Sequence, residues 1–140
     1  MTKVIIDEIE YIPKKIKIET WTDPETGLIW EKQRAEKTMF WKEAGAEKTM
    51  LWKEALEYAK SLGSDWRLPT IQELLSLINF SRDKPACKIA NTHCSYYWSS
   101  TTNVGNTSLA WSVDFLHGSV DYDSKSSNYY VRCVKKGDKK

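Results

Sequence analysis

Apolar and polar positions alternate loosely over the N-terminal segment. Across residues 3–20 this pattern predicts one or two strands, with a break near Pro13 because proline has no N–H to donate to a sheet. Proline and glycine then mark a turn over residues 23–27. The apolar residues 28–30 predict a short strand leaving that turn.

Helical spacing occurs twice in the middle of the chain. The first apolar stripe predicts an amphipathic helix that ends at Gly63, and its members are Trp52, Ala55, Leu56, Ala59 and Leu62. Thr70 and Glu73 then have the spacing of a capping box, which predicts a second helix ending near Asn79. The stripe of this second helix comprises Ile71, Leu74, Leu75 and Ile78.

From residue 96 onward the periodicity changes to two. It predicts a meander of strands at residues 97–101, 109–115, 118–122 and 129–134. Strands, then helices, then a meander indicate an α+β domain. The expected core residues are Trp98, Trp111, Val113, Phe115, Val131 and Cys133 from the strands, and Trp52, Leu56, Ile71, Leu75 and Ile78 from the helices.

A tandem repeat of 11 residues occupies residues 35–55. The segment AEKTMFWKEA is followed, after Gly45, by AEKTMLWKEA, so the copies differ only in Phe40 and Leu51. Eleven residues make about three helical turns, and such an insertion keeps the phase of a helix. We interpret it as a local duplication that lengthens the first helix or its entry loop, with Gly45 placed to break the pair in two.

Composition agrees with one compact domain. The chain has 140 residues, 41% of them hydrophobic, which is the size of a single domain and too apolar for a disordered chain. Seven tryptophans raise the aromatic share to 12%. So high a count indicates an aromatic core, with an adhesive surface as the other interpretation.

Charge and hydropathy narrow the expected partners. The net charge is +2, and the tail from Lys135 contributes +3 of it, so the rest carries −1. We interpret residues 136–140 as a disordered basic tail, and with no other basic stripe nucleic acid is not an expected partner. No apolar run approaches the ~18 residues of a membrane span, so membrane insertion is not expected either.

The N-terminus leaves the compartment open. No signal peptide is visible from Met1 to Ile6. The chain is therefore expected in the cytoplasm, or at the cell surface or outside the cell if it is a mature domain without its leader.

The three cysteines do not form a disulfide scaffold, because their number is odd. Cys87 and Cys94 bracket a short loop and can form a disulfide in an oxidising compartment. Free thiols in a reducing cell are the equal alternative. His93 and Cys94 are adjacent, which does not suit a catalytic pair, since neighbouring side chains rarely point at each other.

Asp114, Asp121 and Asp123 are candidate ligands for a calcium ion. The segment from Asp121 begins like an EF-hand loop but has Lys125 and Arg132 where ligands are needed, and Ser126 where glycine is needed. A looser calcium site therefore stays open against solvated turn carboxylates. No other cofactor is expected.

The polar turns of the meander are the expected ligand-binding surface. Tyrosine, serine and asparagine are the residues that adaptable binding loops favour, although surface loops are polar in any protein. The candidate ligand-binding residues are Asn103, Asn106, Ser108, His117, Asp121, Tyr122, Asp123, Asn128 and Tyr129.

Six segments in order resemble a known family. They are TGLIW at 26–30, WKEALEYA at 52–59, DWRLPT at 65–70 with Glu73-Leu74, YWSST at 97–101, Ala110-Trp111 with Phe115 and Gly118, and VRCV at 131–134. Over residues 21–135 the chain resembles the C-terminal domain family of the Legionella collagen-like adhesin, with residues 1–20 as N-terminal strands or an extension.

The resemblance implies a C-type-lectin-like fold, with helices packed on a twisted antiparallel sheet whose long irregular loops present ligands. The adhesin domain binds sulfated glycosaminoglycans and assembles as a trimer. Ala59 stands where relatives often have a cysteine that pairs with the equivalent of Cys133. The calcium motifs of sugar-binding C-type lectins are absent, and the duplication is not part of the family pattern.

The family's motifs contain most of the tryptophans, which are therefore assigned to the scaffold: Trp30, Trp52, Trp66, Trp98 and Trp111. Tyr96, Tyr122 and Tyr129 are the expected recognition aromatics. The predicted function is a non-catalytic, adhesin-type module that binds a glycan or surface protein, with a homotrimer implied by resemblance. The alternatives are a variable protein of a diversity-generating retroelement, or an enzyme of the formylglycine-generating type, which shares the broader fold and needs reactive cysteines.

Overall fold

The structure is a computed structural model that describes residues 18–32 and 49–137, with the backbone of two short strands at 4–6 and 9–11. These residues form two helices, two three-stranded antiparallel sheets and a two-stranded hairpin, which confirms the α+β class. The elements are β1 (Val4–Ile6), β2 (Ile9–Tyr11), β3 (Thr20–Thr22), β4 (Ile29–Glu31), α1 (Trp52–Ser61), α2 (Ile71–Leu75), β5 (Tyr96–Thr102), β6 (Leu109–Asp114), β7 (Ser119–Ser124) and β8 (Val134–Lys135). None of the described helices is long and apolar enough to span a membrane.

Helix α1 matches its predicted span and comes from the second copy of the repeat. Its N-terminus is capped by Glu54, whose carboxylate accepts a hydrogen bond from Leu51 N at 2.9 Å. It buries Ala55, Tyr58 and Ala59 and ends just before Gly63, which has a positive φ of 140°. The first copy and the start of the second, through residue 48, lie outside the described residues.

Helix α2 begins as predicted but is shorter. Thr70 Oγ1 accepts from Glu73 N at 3.1 Å, and Glu73 Oε1 accepts from Thr70 N at 2.9 Å, so the capping box is confirmed. The helix ends at Leu75 rather than near Asn79, because Ile78 forms a β-bridge to Cys87. The apolar pattern continues past the end of the helix because Leu77, which follows it, is also buried.

The predicted strand over residues 129–134 is wrong as a single element, and the meander has three strands, not four. Tyr129 and Tyr130 make isolated bridges to Met50 and Tyr97, and the chain then leaves the meander. Its end, β8, pairs with β4 in the other sheet, so the two ends of the domain meet there.

Buried polar side chains hold this crossing segment. Arg132 donates from Nη1 to Glu31 O at 2.7 Å and from Nη2 to Thr92 Oγ1 at 3.0 Å. The Glu31 carboxylate accepts from Tyr58 OH and from Cys133 N. Burial raises the pKa of Glu31, against hydrogen bonds and the Arg132 charge that lower it. These bonds tie β4, α1 and the crossing segment together.

The meander lies between the two helices. Trp98 shares a cluster with Ala55 and Ala59 of α1, whereas its neighbour Tyr97 shares one with Leu74 of α2. Adjacent strand residues point to opposite faces, so α1 and α2 cover opposite faces of the sheet.

The core prediction is confirmed for six of its eleven residues. The buried members of the predicted set are Trp98, Val113, Phe115, Val131, Cys133 and Ile71. Trp52, Leu56, Ile78 and Trp111 are only partly buried. Leu75 was predicted in the core but is 37% exposed, because Leu74 beside it takes the inward position.

Candidate ligand-binding face

Strand β7 is the exposed edge of the meander. Five of its six residues are exposed, whereas β6 beside it is half-buried or buried throughout. The turn into β7 requires Gly118, whose φ is +86°, and a Cβ there would lie 2.9 Å from Ile78 Cγ2. The chain thus turns tightly and presents β7 to solvent.

Acidic and aromatic side chains gather on one face of this edge. Residues that pair across an antiparallel ladder share a face. Asp121 pairs with Ser112, Asp123 with Ala110, and Asp114 with Tyr96. We name this surface the acidic face, and its members are Tyr96, Asp114, Asp121, Asp123 and Tyr129. Helix α1 packs on the same side of the sheet, further along at Trp98.

Tyr129 joins the acidic face from outside the meander. Its ring stacks on Tyr96 with centroids 5.0 Å apart and lies 4.5 Å from the Trp98 ring. Its hydroxyl donates to Asp123 Oδ2 at 2.5 Å. That bond lowers the pKa of Asp123, while burial and the Asp123 charge raise the pKa of Tyr129.

The charges on the acidic face act on one another. Burial and then the charges of Asp114, Asp121 and Asp123 raise the pKa of Tyr96. The carboxylates also cap the strand, because Asp121 accepts from Tyr122 N at 2.8 Å and Asp123 accepts from Ser124 N at 2.7 Å. Side chains thereby occupy backbone amides that an added strand would need.

The opposite face of β7 is apolar. Val120 is 47% exposed and Tyr122 is 48% exposed, and the Tyr122 ring meets Trp111 edge-on at 5.0 Å. Tyr122, predicted as a binding residue, therefore points away from Asp121 and Asp123. The predicted β7 residues line two faces of one strand.

The predicted loop residues are split between the two ends of the sheet. Asn103, Asn106 and Ser108 lie at the end where β7 finishes, since Lys125 N donates to Ser108 O at 2.9 Å. His117 lies in the β6–β7 turn at the other end, with Nδ1 2.7 Å from Asp83 Oδ1. His117 is thus not brought together with the others.

The two asparagines shape their own loop. Asn103 Oδ1 accepts from Gly105 N at 2.8 Å, and Asn106 Oδ1 accepts from Ser108 N at 3.1 Å. Asn128 is exposed on the segment after β7, beside Tyr129. Ser112 was absent from the predicted set, because only the strand register places it beside Asp121.

Residues 19–135 match the family model of the Lcl C-terminal domain. The chain belongs to this family. The match covers the domain predicted at 21–135, and the comparison with curated proteins finds no match.

In this Lcl C-terminal domain all three cysteines are free thiols. Cys87 and Cys133 are buried and Cys94 is exposed, so the structure has the free-thiol alternative for Cys87 and Cys94 rather than the disulfide. Burial and the Glu31 charge raise the pKa of Cys133 well above its ordinary value. The described part of the chain contains no group of three or more acidic, histidine or cysteine side chains suited to a metal ion.

Proposed function

We propose that this Lcl C-terminal domain is a non-catalytic, adhesin-type module with a C-type-lectin-like fold. It recognises a glycan or a protein partner through β7 and the adjoining turns. The exposure of β7 along almost its whole length is the observation that carries the proposal. A strand with few core contacts can vary its side chains for recognition without loss of the fold.

Ligand arrays test the proposal. Purified glycans and surface proteins would be screened with the parent domain, and the ligand then measured against Tyr122→Ala and Asn128→Ala. Leu75→Ala is the control, because Leu75 is 37% exposed and lies on α2 rather than on β7 or its turns. Weaker binding by the β7-region variants alone supports the proposal, and equal binding by all variants contradicts it. Light scattering of the same samples tests the implied homotrimer.

The variable-protein alternative uses the same surface. The exposed positions of β7 are those at which diversification would leave the core intact. A reverse-transcriptase gene and an adenine-mutated template repeat beside the gene would favour this alternative, and their absence would remove it.

The thiols disfavour the enzyme alternative, whose chemistry needs a reactive thiolate in a pocket. We predict that a thiol reagent modifies one cysteine, Cys94, in the folded domain and all three after denaturation. Cys94→Ser should abolish the fast reaction. Rapid modification of Cys133 in the native domain would reopen the enzyme alternative.

A further inference from the structure

We propose that the acidic face binds a guanidinium group, presented by an arginine side chain of a protein partner. This inference rests on the proposed binding function and names the chemistry of its ligand.

The carboxylates of the acidic face have no basic partner among the described residues. The ion pairs of that part of the chain join Arg67 to Glu73, Lys88 to Asp23 and Glu25, and His117 to Asp83. Asp114 and Asp121 each accept one backbone hydrogen bond through Oδ1, which leaves Oδ2 available. Negative charge is therefore concentrated here, since the nearby Lys125 directs its Nζ to Thr102 Oγ1 at 3.1 Å and to the Trp52 ring instead.

A second observation comes from a buried serine. Ser112 is fully buried, and its Oγ has no hydrogen-bond partner. The register places it on the side of the sheet that carries the acidic face, between Trp98 on β5 and Asp121 on β7. A buried hydroxyl without a partner is unusual, and a donor that enters beside Asp121 would give it one.

A guanidinium group fits these features better than other cations do. The carboxylates are close enough to affect Tyr96 together, yet the described side chains do not form a metal site. A guanidinium carries five donors in a planar fork, which suits carboxylates such as Asp121 and Asp123, and it stacks on aromatic rings such as Tyr96. A sulfated glycan would meet like charge at this face.

The neighbouring surface favours a protein as the carrier of that group. Val120 and Tyr122 expose apolar area on the other face of the same edge strand. The amides of Tyr122 and Ser124 are already capped, so the partner makes its contacts through side chains rather than by adding a strand.

An NMR titration of the folded domain tests the inference, with N-acetyl-arginine amide as the probe. We expect saturable shifts of the backbone amides of residues 121–124, and much smaller shifts with the citrulline analogue, which has the same shape without the charge. Asp121→Asn with Asp123→Asn should weaken the arginine probe about tenfold, because a charge-assisted pair is lost. Ser112→Ala should weaken it as well.

The matched control is Glu57→Gln with Asp65→Asn, which changes the net charge equally at exposed residues outside the acidic face. Equal shifts with citrulline, or equal weakening by the control pair, would overturn the inference. Stronger shifts with a heparin-derived oligosaccharide would also overturn it. If the arginine probe does not bind but Tyr122→Ala still loses binding of the array ligand, only the guanidinium inference is contradicted. If the arginine probe does not bind and Tyr122→Ala binds the array ligand as the parent does, the proposed function is contradicted as well.

Discussion

Strands β5 and β7 flank the same central strand but meet different surroundings. In β5, Tyr97 and Trp98 are fully buried, and its outer edge is covered where Trp98 N donates to Tyr130 O and Ser100 N donates to Pro69 O. In β7 five of six residues are exposed. One sheet thus provides a structural edge and a recognition edge.

The position of the helices explains this difference. Helix α1 packs on β5, and α2 packs on β5 and β6, so β7 lies beyond the main contacts of both. Substitutions in β5 should therefore reduce stability, and those in β7 should change binding.

Trp98→Ala should have the largest effect. Trp98 is fully buried, and its Nε1 donates to Met50 O at 2.9 Å. Its removal should lower the free energy of unfolding by about 3–5 kcal/mol, measured by urea denaturation. Tyr122→Ala is the matched aromatic change on β7 and should cost about 1 kcal/mol or less. Equal losses from the two variants would contradict this difference between β5 and β7.

Arg132→Met should come next, because Arg132 holds the segment that covers β5. The substitution removes the donor to Glu31 O and to Thr92 Oγ1. It also removes the positive charge near the Glu31 carboxylate. We expect a loss of about 3 kcal/mol in unfolding free energy. The control Arg67→Met removes an exposed pair with Glu73 and should cost roughly 1 kcal/mol or less. A loss no larger than the control's would remove Arg132 from this role.

Glu73→Gln should have a smaller, pH-dependent effect at the start of α2. Burial opposes ionisation of Glu73, but hydrogen bonds from Arg67 and Thr70 lower its pKa below 4.5. Its contribution to stability is therefore complete above the unfolded pKa and lost as pH falls through the folded pKa. We expect a loss of about 1 kcal/mol at pH 7 that disappears in thermal melts once the pH is below the lowered pKa of Glu73. An equal loss at both pH values would contradict this assignment.

Local signals predicted the elements that local contacts build. The Thr70–Glu73 capping box and the stripe that buries Ala55 and Ala59 need only nearby residues, and both are confirmed. The path of residues 129–134 depends on Arg132, whose partners Glu31 and Asn91 are 101 and 41 residues away. No periodicity within the segment reports such partners.

The acidic face was predicted only in part for the same reason. Loop composition predicts Asp121, Asp123 and Tyr129 as binding residues, whereas it gives Asp114 only as a calcium ligand and Tyr96 only as a recognition aromatic. Their common face follows from strand register, which places Ser112 opposite Asp121 and Asp114 opposite Tyr96. Register depends on the whole sheet and is not readable from one strand.

The residues that follow each copy of the repeat explain why the second copy forms α1. Both copies contain the Met, Trp and Ala that the second copy uses at Met50, Trp52 and Ala55. Eleven residues before the buried Tyr58 and Ala59, however, the chain has Glu47 and Lys48. Burial of those charges would be costly, so the second copy forms α1.

The most direct test of the central claim measures binding and stability on the same sample of Tyr122→Ala. We predict that affinity for the array-selected ligand falls at least about tenfold, as for a recognition aromatic, while the melting temperature changes by only a few degrees. Unchanged affinity with a large fall in melting temperature would contradict the account, because β7 would then be structural like β5.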